Sequence, residues 1–269
     1  VLDMCRETIE HPWSLPDGIK RHLDLDSGRD RGRVWRLEPT GFDGAAAARR
    51  LGALRQGRPS EWVRWMDHPN GWHRDTAARL VHAAADPSLA GPLKGVARSG
   101  KTVAGRLHAL HELQALGALD ADTARAALKD PHEAVRAAAV GLARSLGIDP
   151  GPGIAGDPSA RVRMEVARRA ASWPGAGRAT VLASLLALGP DRVRQVALPA
   201  TRGIELETWR ALFRDSSKNG TALVALARRM GARPDVTGLE AVIADVPRLP
   251  LASLRLGLLA ALAEGRTAS

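Results

Sequence analysis

Arginines recur at positions 74, 106, 136, 163 and 194, at intervals of 32, 30, 27 and 31 residues. Asp130-Pro131 stands ahead of Arg136 and Asp157-Pro158 ahead of Arg163, with proline five residues before the arginine, as Pro69 stands before Arg74. Gly189-Pro190 is a copy one residue shorter before Arg194, and the proline-free Val103-Ala104-Gly105 leads to Arg106. A guanidinium is a planar fork that grips a carboxylate with two hydrogen bonds. The recurring positions, Arg74, Arg106, Asp130, Arg136, Asp157, Arg163 and Arg194, are the first candidates for chemistry, and the arginines among them could line a groove that tracks phosphates.

Other residue types invite chemistry more weakly. His108 and His111 lie three apart on one expected helix face, a spacing that can place two imidazoles on one metal. Glu112 points to another face and no Asp, Cys or third His is fixed nearby, so the expectation is surface or partly buried histidines and no metal site. His11 with Glu7 or Glu10, and Asp3 with Arg6, are acid and base pairings near the start, read as ties within an irregular segment rather than as catalytic groups. Trp62, Trp65 and Trp72 cluster in sequence, and with Trp35 they are read as a domain interface. The lone Cys5 excludes an internal disulfide, a cysteine zinc site and the Cys-x-x-Cys-His attachment of haem c. No catalytic or cofactor-binding residue is expected.

These positions have to be held by helices. Ala, Leu and Arg dominate, side chains that lose little freedom in a helix, and the nine aromatics among 269 residues argue against an all-β chain. After Pro39 the pattern is one of helices separated by short Pro, Gly and Asp turns. Three residues after each recurring arginine stands Ala77, Ala109, Ala139, Val166 or Ala197, a small or β-branched apolar residue. Asp130 and Asp157 are placed to cap a second helix and Pro131 and Pro158 to occupy its first position. The pairs expected are 60–67 with 71–85, 87–98 with 101–117, 120–129 with 131–146, a stunted 151–156 with 158–172, 175–188 with 190–201, 205–214 with 217–231, and 235–245 with 249–264. One hairpin cannot bury its apolar stripe, so neighbours must stack. The fold class expected is therefore mainly α, a solenoid of about six to seven helical hairpins over residues 60–269. A linker helix falls within 41–59, ahead of it.

Residues 1–40 differ. Val1-Leu2-Asp3-Met4-Cys5 is a short apolar segment and Arg33-Val34-Trp35-Arg36-Leu37 alternates with period two, so a pair of strands with a long excursion is expected. Trp35 and Leu37 would need to borrow an apolar surface, that of Trp62 and Trp65.

The formal charge is +10. Arginine is spread through nearly every helix and accompanies abundant Ala and Gly, as in a GC-rich gene, so a nucleic-acid partner is disfavoured against a protein partner or neighbouring domains. The longest apolar run, 249–263, is interrupted by Arg255, and no membrane span is expected. The chain reads as a piece of something larger.

The motif Asp-Pro-x-x-x-Val-Arg opening the second helix is similar to HEAT repeats, which implies that Arg74, Arg106, Asp130, Arg136, Asp157, Arg163 and Arg194 bond across successive units as a ladder, with second helices on a partner-facing side. Arginines stacked against aspartates have little charge left for a ligand, and this favours the ladder over the groove. The stretch Asp3-Met4-Cys5-Arg6-Glu7-Thr8-Ile9-Glu10-His11-Pro12, followed by Gly28 to Leu37, resembles the closing blade of the sugar-dehydrogenase-like β-propeller in PVC-type membrane-bound dehydrogenase proteins of bacteria. Trp72-His73-Arg74-Asp75-Thr76-Ala77-Ala78-Arg79-Leu80 is close to that family's first repeat. The resemblance implies a periplasmic or exported parent, without its signal segment here, that oxidises a sugar or alcohol with pyrroloquinoline quinone and passes electrons to haem c. It does not imply that this chain does so: Cys5 stands where the family has Tyr, and the remaining blades are not in the sequence.

Overall fold

The structure is a computed structural model that describes residues 2–3, 15–24, 30–35, 37–149, 151–173, 177–232 and 237–267. The chain is mainly helical and divides into two compact units, Val1–Arg55 and Gln56–Ser269.

In the first unit β1 (Leu2–Asp3) pairs antiparallel with β2 (Arg33–Val34), Leu2 opposite Val34 and Asp3 opposite Arg33. No further strand stands among the described residues, and of the described residues in the alternation only Arg33 and Val34 are strand. A two-residue ladder covers little, and Val34, Trp35 and Leu37 are exposed. Arg33 instead lies over the Trp35 ring, 5.4 Å from its centroid. The short α1 (Asp17–Lys20) follows β1, and α2 (Gly44–Gln56) runs to the unit boundary. Its start is fixed by Asp43, whose carboxylate accepts the Ala46 N–H at 2.8 Å.

The second unit contains α3 (Pro59–Trp65), α4 (Gly71–Ala84), α5 (Ala90–Ser99), α6 (Val103–Ala115), α7 (Ala121–Ala127), α8 (Glu133–Ser145) and α9 (Ala160–Ala170). It continues with α10 (Gly177–Leu188), α11 (Asp191–Ala197), α12 (Glu205–Phe213), α13 (Gly220–Gly231), α14 (Thr237–Asp245) and α15 (Ala252–Thr267). Packing follows chain order. Helices pair as α3 with α4, α5 with α6, α7 with α8, α10 with α11 and α12 with α13. Pairs join through their first helices (α3–α5–α7, α10–α12–α14) and their second helices (α4–α6–α8–α9–α11, α13–α15). At 151–156 the expected first helix is a 3-10 turn, Pro152–Gly156, packed on α9 and α10.

Turn chemistry sets the helix ends. Gly117 and Gly147 adopt φ of +65° and +67°, the left-handed conformation that lets Leu119 and Ile148 N–H return to the Leu113 and Ala143 carbonyls. At the starts, the expectation for Asp130-Pro131 and Asp157-Pro158 needs correcting. The carboxylates of Asp130 and Asp157 accept the N–H two residues on, from His132 and Ser159, each at 2.8 Å. That closes a turn before the helix. The caps are then His132 and Ser159, and the prolines lie outside the helices.

The interior changes along the unit. The buried side chains of α7 and α8 are mainly alanine, with Val135, Val140 and Leu142. From α8 onward one apolar cluster runs to the last helix, through Leu182, Leu185, Leu186, Trp209, Leu212, Leu223, Leu226, Leu258 and Leu262.

Candidate functional site

Two arginines of the expected ladder bond to aspartates of the following turn. Arg106 on α6 donates from Nε to Asp130 Oδ2 at 2.7 Å and from Nη2 to Oδ1 at 3.0 Å. Arg136 on α8 repeats this with Asp157, at 2.8 and 3.0 Å. The free nitrogen of each fork closes its own turn: Arg106 Nη1 donates to the Gly100 carbonyl, and Arg136 Nη1 to those of Asp130 and Pro131. All four side chains are largely buried, from 6 to 14% exposed. The Arg136 bond and the Ser159 N–H outweigh the cost of burying Asp157, which holds its carboxyl below the usual carboxylate range. The bond to Asp157 raises the Arg136 guanidinium correspondingly.

The other arginines are placed differently. Arg74 and Arg163 close their own turns on the carbonyls of His68 and Pro69, and of Asp157 and Pro158. Their Nε–H groups, which in Arg106 and Arg136 reach the aspartate, are buried without a partner among the described residues. The reason lies in the next turn. Gly100 and Gly189 stand where Asp130 and Asp157 stand elsewhere, and a Cβ there would come within 2.7 Å of the Val96 oxygen and 2.4 Å of the Leu185 oxygen. An aspartate does not fit those turns. Arg194 pairs with Asp191 on its own helix.

A further cross-pair link uses backbone instead of guanidinium. Asp67 accepts the Lys101 N–H at 2.6 Å, the Thr102 N–H at 2.7 Å and the Thr102 hydroxyl at 2.8 Å. Burial works against the ionised Asp67, and these bonds overcome it, lowering its pKa. Arg255 is a turn-closing residue that the sequence pattern should also have picked out. It stands five after Pro250 and donates from Nε and Nη2 to the Leu249 carbonyl, at 2.8 and 2.6 Å.

Beside these links the second helices form two grooves. The first, about 610 Å³, has Ala134, Ala137 and Ala138 of α8 as its floor. Leu107, His108 and His111 of α6 and Arg161, Met164, Glu165 and Arg168 of α9 make its walls. The second, about 480 Å³, lies along α13, between α15 and the residues that follow α11, and is lined by Leu198, Arg202, Ala225, Arg228, Arg229 and Glu264. Its helices approach closely because Gly231 and Gly265 lack side chains: a Cβ on either would come within 2.3 Å of a carbonyl on the other helix. Glu165 bonds Arg169 at 2.6 Å and Glu264 bonds Arg228 at 2.6 Å. Arg161 and Arg202 have no acidic partner among the described residues.

Of the histidine pair, His108 is drawn into a cross-helix contact and His111 is exposed on the wall of the first groove. His108 Nε2 lies 3.2 Å from Asp75 Oδ1 on α4, and His82 of α4 lies 3.1 Å from Glu112 of α6. Among the described residues no group of three or more His, Cys, Asp or Glu is placed to hold a metal. Trp65 stacks on His68 with ring centroids 5.3 Å apart, Trp72 is 57% exposed, and Trp62 is half-buried. Trp35 belongs to the other compact unit. Arg6, Glu7, Glu10 and His11 lie outside the described residues. No described helix is long and apolar enough to cross a membrane. Comparison with protein-family models, curated proteins and solved structures returns no match.

Proposed function

We propose that residues 56–269 are a HEAT-like α-solenoid that serves as a non-catalytic protein-interaction scaffold within a larger dehydrogenase-like protein. The observation that supports the scaffold is the turn device repeated along the chain; the dehydrogenase-like parent rests only on the resemblance of the stretches 3–12, 28–37 and 72–80. An arginine closes on the carbonyl six residues before it at Arg74, Arg106, Arg136, Arg163 and Arg255, and twice it also grips the next turn's aspartate. At five turns the arginine fixes the turn itself, and at two of them it also fixes one helix pair on the next, in neither case using a pocket for chemistry. This leaves the second helices, with their grooves, as the surface on offer.

The parent's chemistry would lie elsewhere. Covalent haem c requires two thioethers, and the chain's single cysteine does not fit that group. Supplied with pyrroloquinoline quinone and glucose or ethanol, the purified chain should reduce an acceptor dye no faster than a blank. It should show no haem band that survives denaturation. Turnover by the chain alone would overturn the non-catalytic reading.

A further inference from the structure

Resting on that scaffold reading, we propose that the grooved face of the second helices docks an acidic segment of a partner protein, its carboxylates on the arginine walls and its small or apolar side chains on the alanine floor. The argument begins with charge. The two grooves together carry five arginines, Arg161, Arg168, Arg202, Arg228 and Arg229, against two glutamates, Glu165 and Glu264. Both glutamates are already bonded to arginines, and Arg161 and Arg202 have no acidic partner among the described residues. All five are separate from the Arg–Asp rungs; Arg228 and Arg229 are held by Glu264 and Glu205 and Arg168 lies 3.9 Å from Glu165, so Arg161 and Arg202 are the cations a ligand can use without breaking an internal pair.

The floor decides what kind of anion fits. Ala134, Ala137 and Ala138 leave a trough with apolar walls at Leu107 and Met164. A peptide that alternates carboxylates with small apolar side chains satisfies floor and wall together. A single-stranded nucleic acid calls for aromatic faces on which bases stack, and no Trp or Phe lines either groove among the described residues. His108 and His111 stand on the wall facing Arg161 and Arg168, with Asp75 beside His108.

The test is fluorescence anisotropy at low salt with three labelled probes. They are a short peptide of glutamate, alanine and leucine, its glutamine counterpart, and a thymidine oligonucleotide of equal charge. The acidic peptide should bind best, and Arg161→Glu/Arg168→Glu should weaken it by at least about tenfold. Arg125→Glu/Arg210→Glu, an equal charge change on the first helices α7 and α12, should leave it nearly unchanged. Circular dichroism confirms that each variant is folded. Equal losses in the two double variants would show unspecific attraction and overturn the proposal. Tighter binding of the oligonucleotide, lost with Arg161 and Arg168, would overturn it in favour of nucleic acid. Equal binding of both peptides, blocked by Ala138→Trp but not by charge reversal, would overturn the acidic partner while leaving the scaffold reading in place. No binding of either peptide to folded protein would overturn the proposal and leave the scaffold reading to the turnover assay.

Discussion

The stretch from α3 to α9 and the stretch from α10 to α15 hold their helices side by side by different means. In the first, links between neighbouring pairs are polar: Asp67 to the start of α6, Arg106 to Asp130, Arg136 to Asp157. In the second, the contacts are mainly those of large apolar side chains around Trp209, with Gly231 and Gly265 letting two helix backbones approach. The two rungs flank α7 and α8, the pair whose buried residues are mostly alanine. Alanine buries little area, so apolar contact alone fixes neighbouring pairs loosely there. Paired charges, costly to leave unmatched once buried, supply the register. Beyond Asp157 no further rung forms among the described residues, because Gly189 stands in the next turn, and there the large apolar cluster supplies area and shape.

This contrast can be broken from either side. The largest effect should come from the apolar stretch: Trp209→Ala removes a fully buried indole and its 3.1 Å bond to Asp245, and should cost about 3–5 kcal/mol in urea unfolding. Next comes Arg106→Ala, which strands the buried Asp130 carboxylate and should cost about 3 kcal/mol. If Arg106→Ala were nearly silent, the rungs would be ornaments on a fold held by apolar contact throughout.

Acid separates the two stretches without mutation. Asp67 and Asp157 are held below the ordinary carboxylate value, so the unfolded chain binds their protons more readily than the folded one. Their contribution is fully present above the unfolded value near pH 4, and it is lost as pH falls through the lower folded values. Below about pH 4 the amides of α8 should therefore lose exchange protection before those of α13. Asp157→Asn should flatten the acid dependence. Simultaneous loss in both helices, unchanged in that variant, would mean that the stretches are not distinct. The smallest effect belongs to Arg194→Ala, an exposed pair within one helix, which should shift stability by no more than about 0.5 kcal/mol.

The helices and most of the turn device were legible from composition and from the Pro-to-Arg spacing, because both depend on local residue order. The two rungs draw on the same local order, an Asp before a Pro in one turn and an Arg of the recurring series in the turn before, Arg136 after Pro131 and Arg106 by its period alone. The glycines at 100 and 189 were in plain view, but their consequence was not: only the distance from a would-be Cβ to the Val96 and Leu185 oxygens shows why no rung forms there. Arg255 fell outside the arginine series although Pro250 precedes it by the usual five residues. The helix starts were misplaced by two residues because an aspartate before proline serves a turn as readily as a cap. The grooves were not legible at all. They bring residue 104 within reach of residue 168 through the stacking of three helices, and alanine on a helix announces nothing about what stands opposite.

The central claim is that a rung couples one helix pair to the next, and a double-mutant cycle on Arg136 and Asp157 tests it most directly. Urea unfolding of Arg136→Ala, Asp157→Ala and the double variant should give a coupling energy of about 1–3 kcal/mol, because either single variant strands a buried charged partner and the double strands none. Arg49→Ala, whose 3.7 Å contact with Asp43 is exposed, serves as the control and should shift stability by about 0.5 kcal/mol or less. Additive losses at Arg136 and Asp157, with no coupling beyond error, would contradict the account.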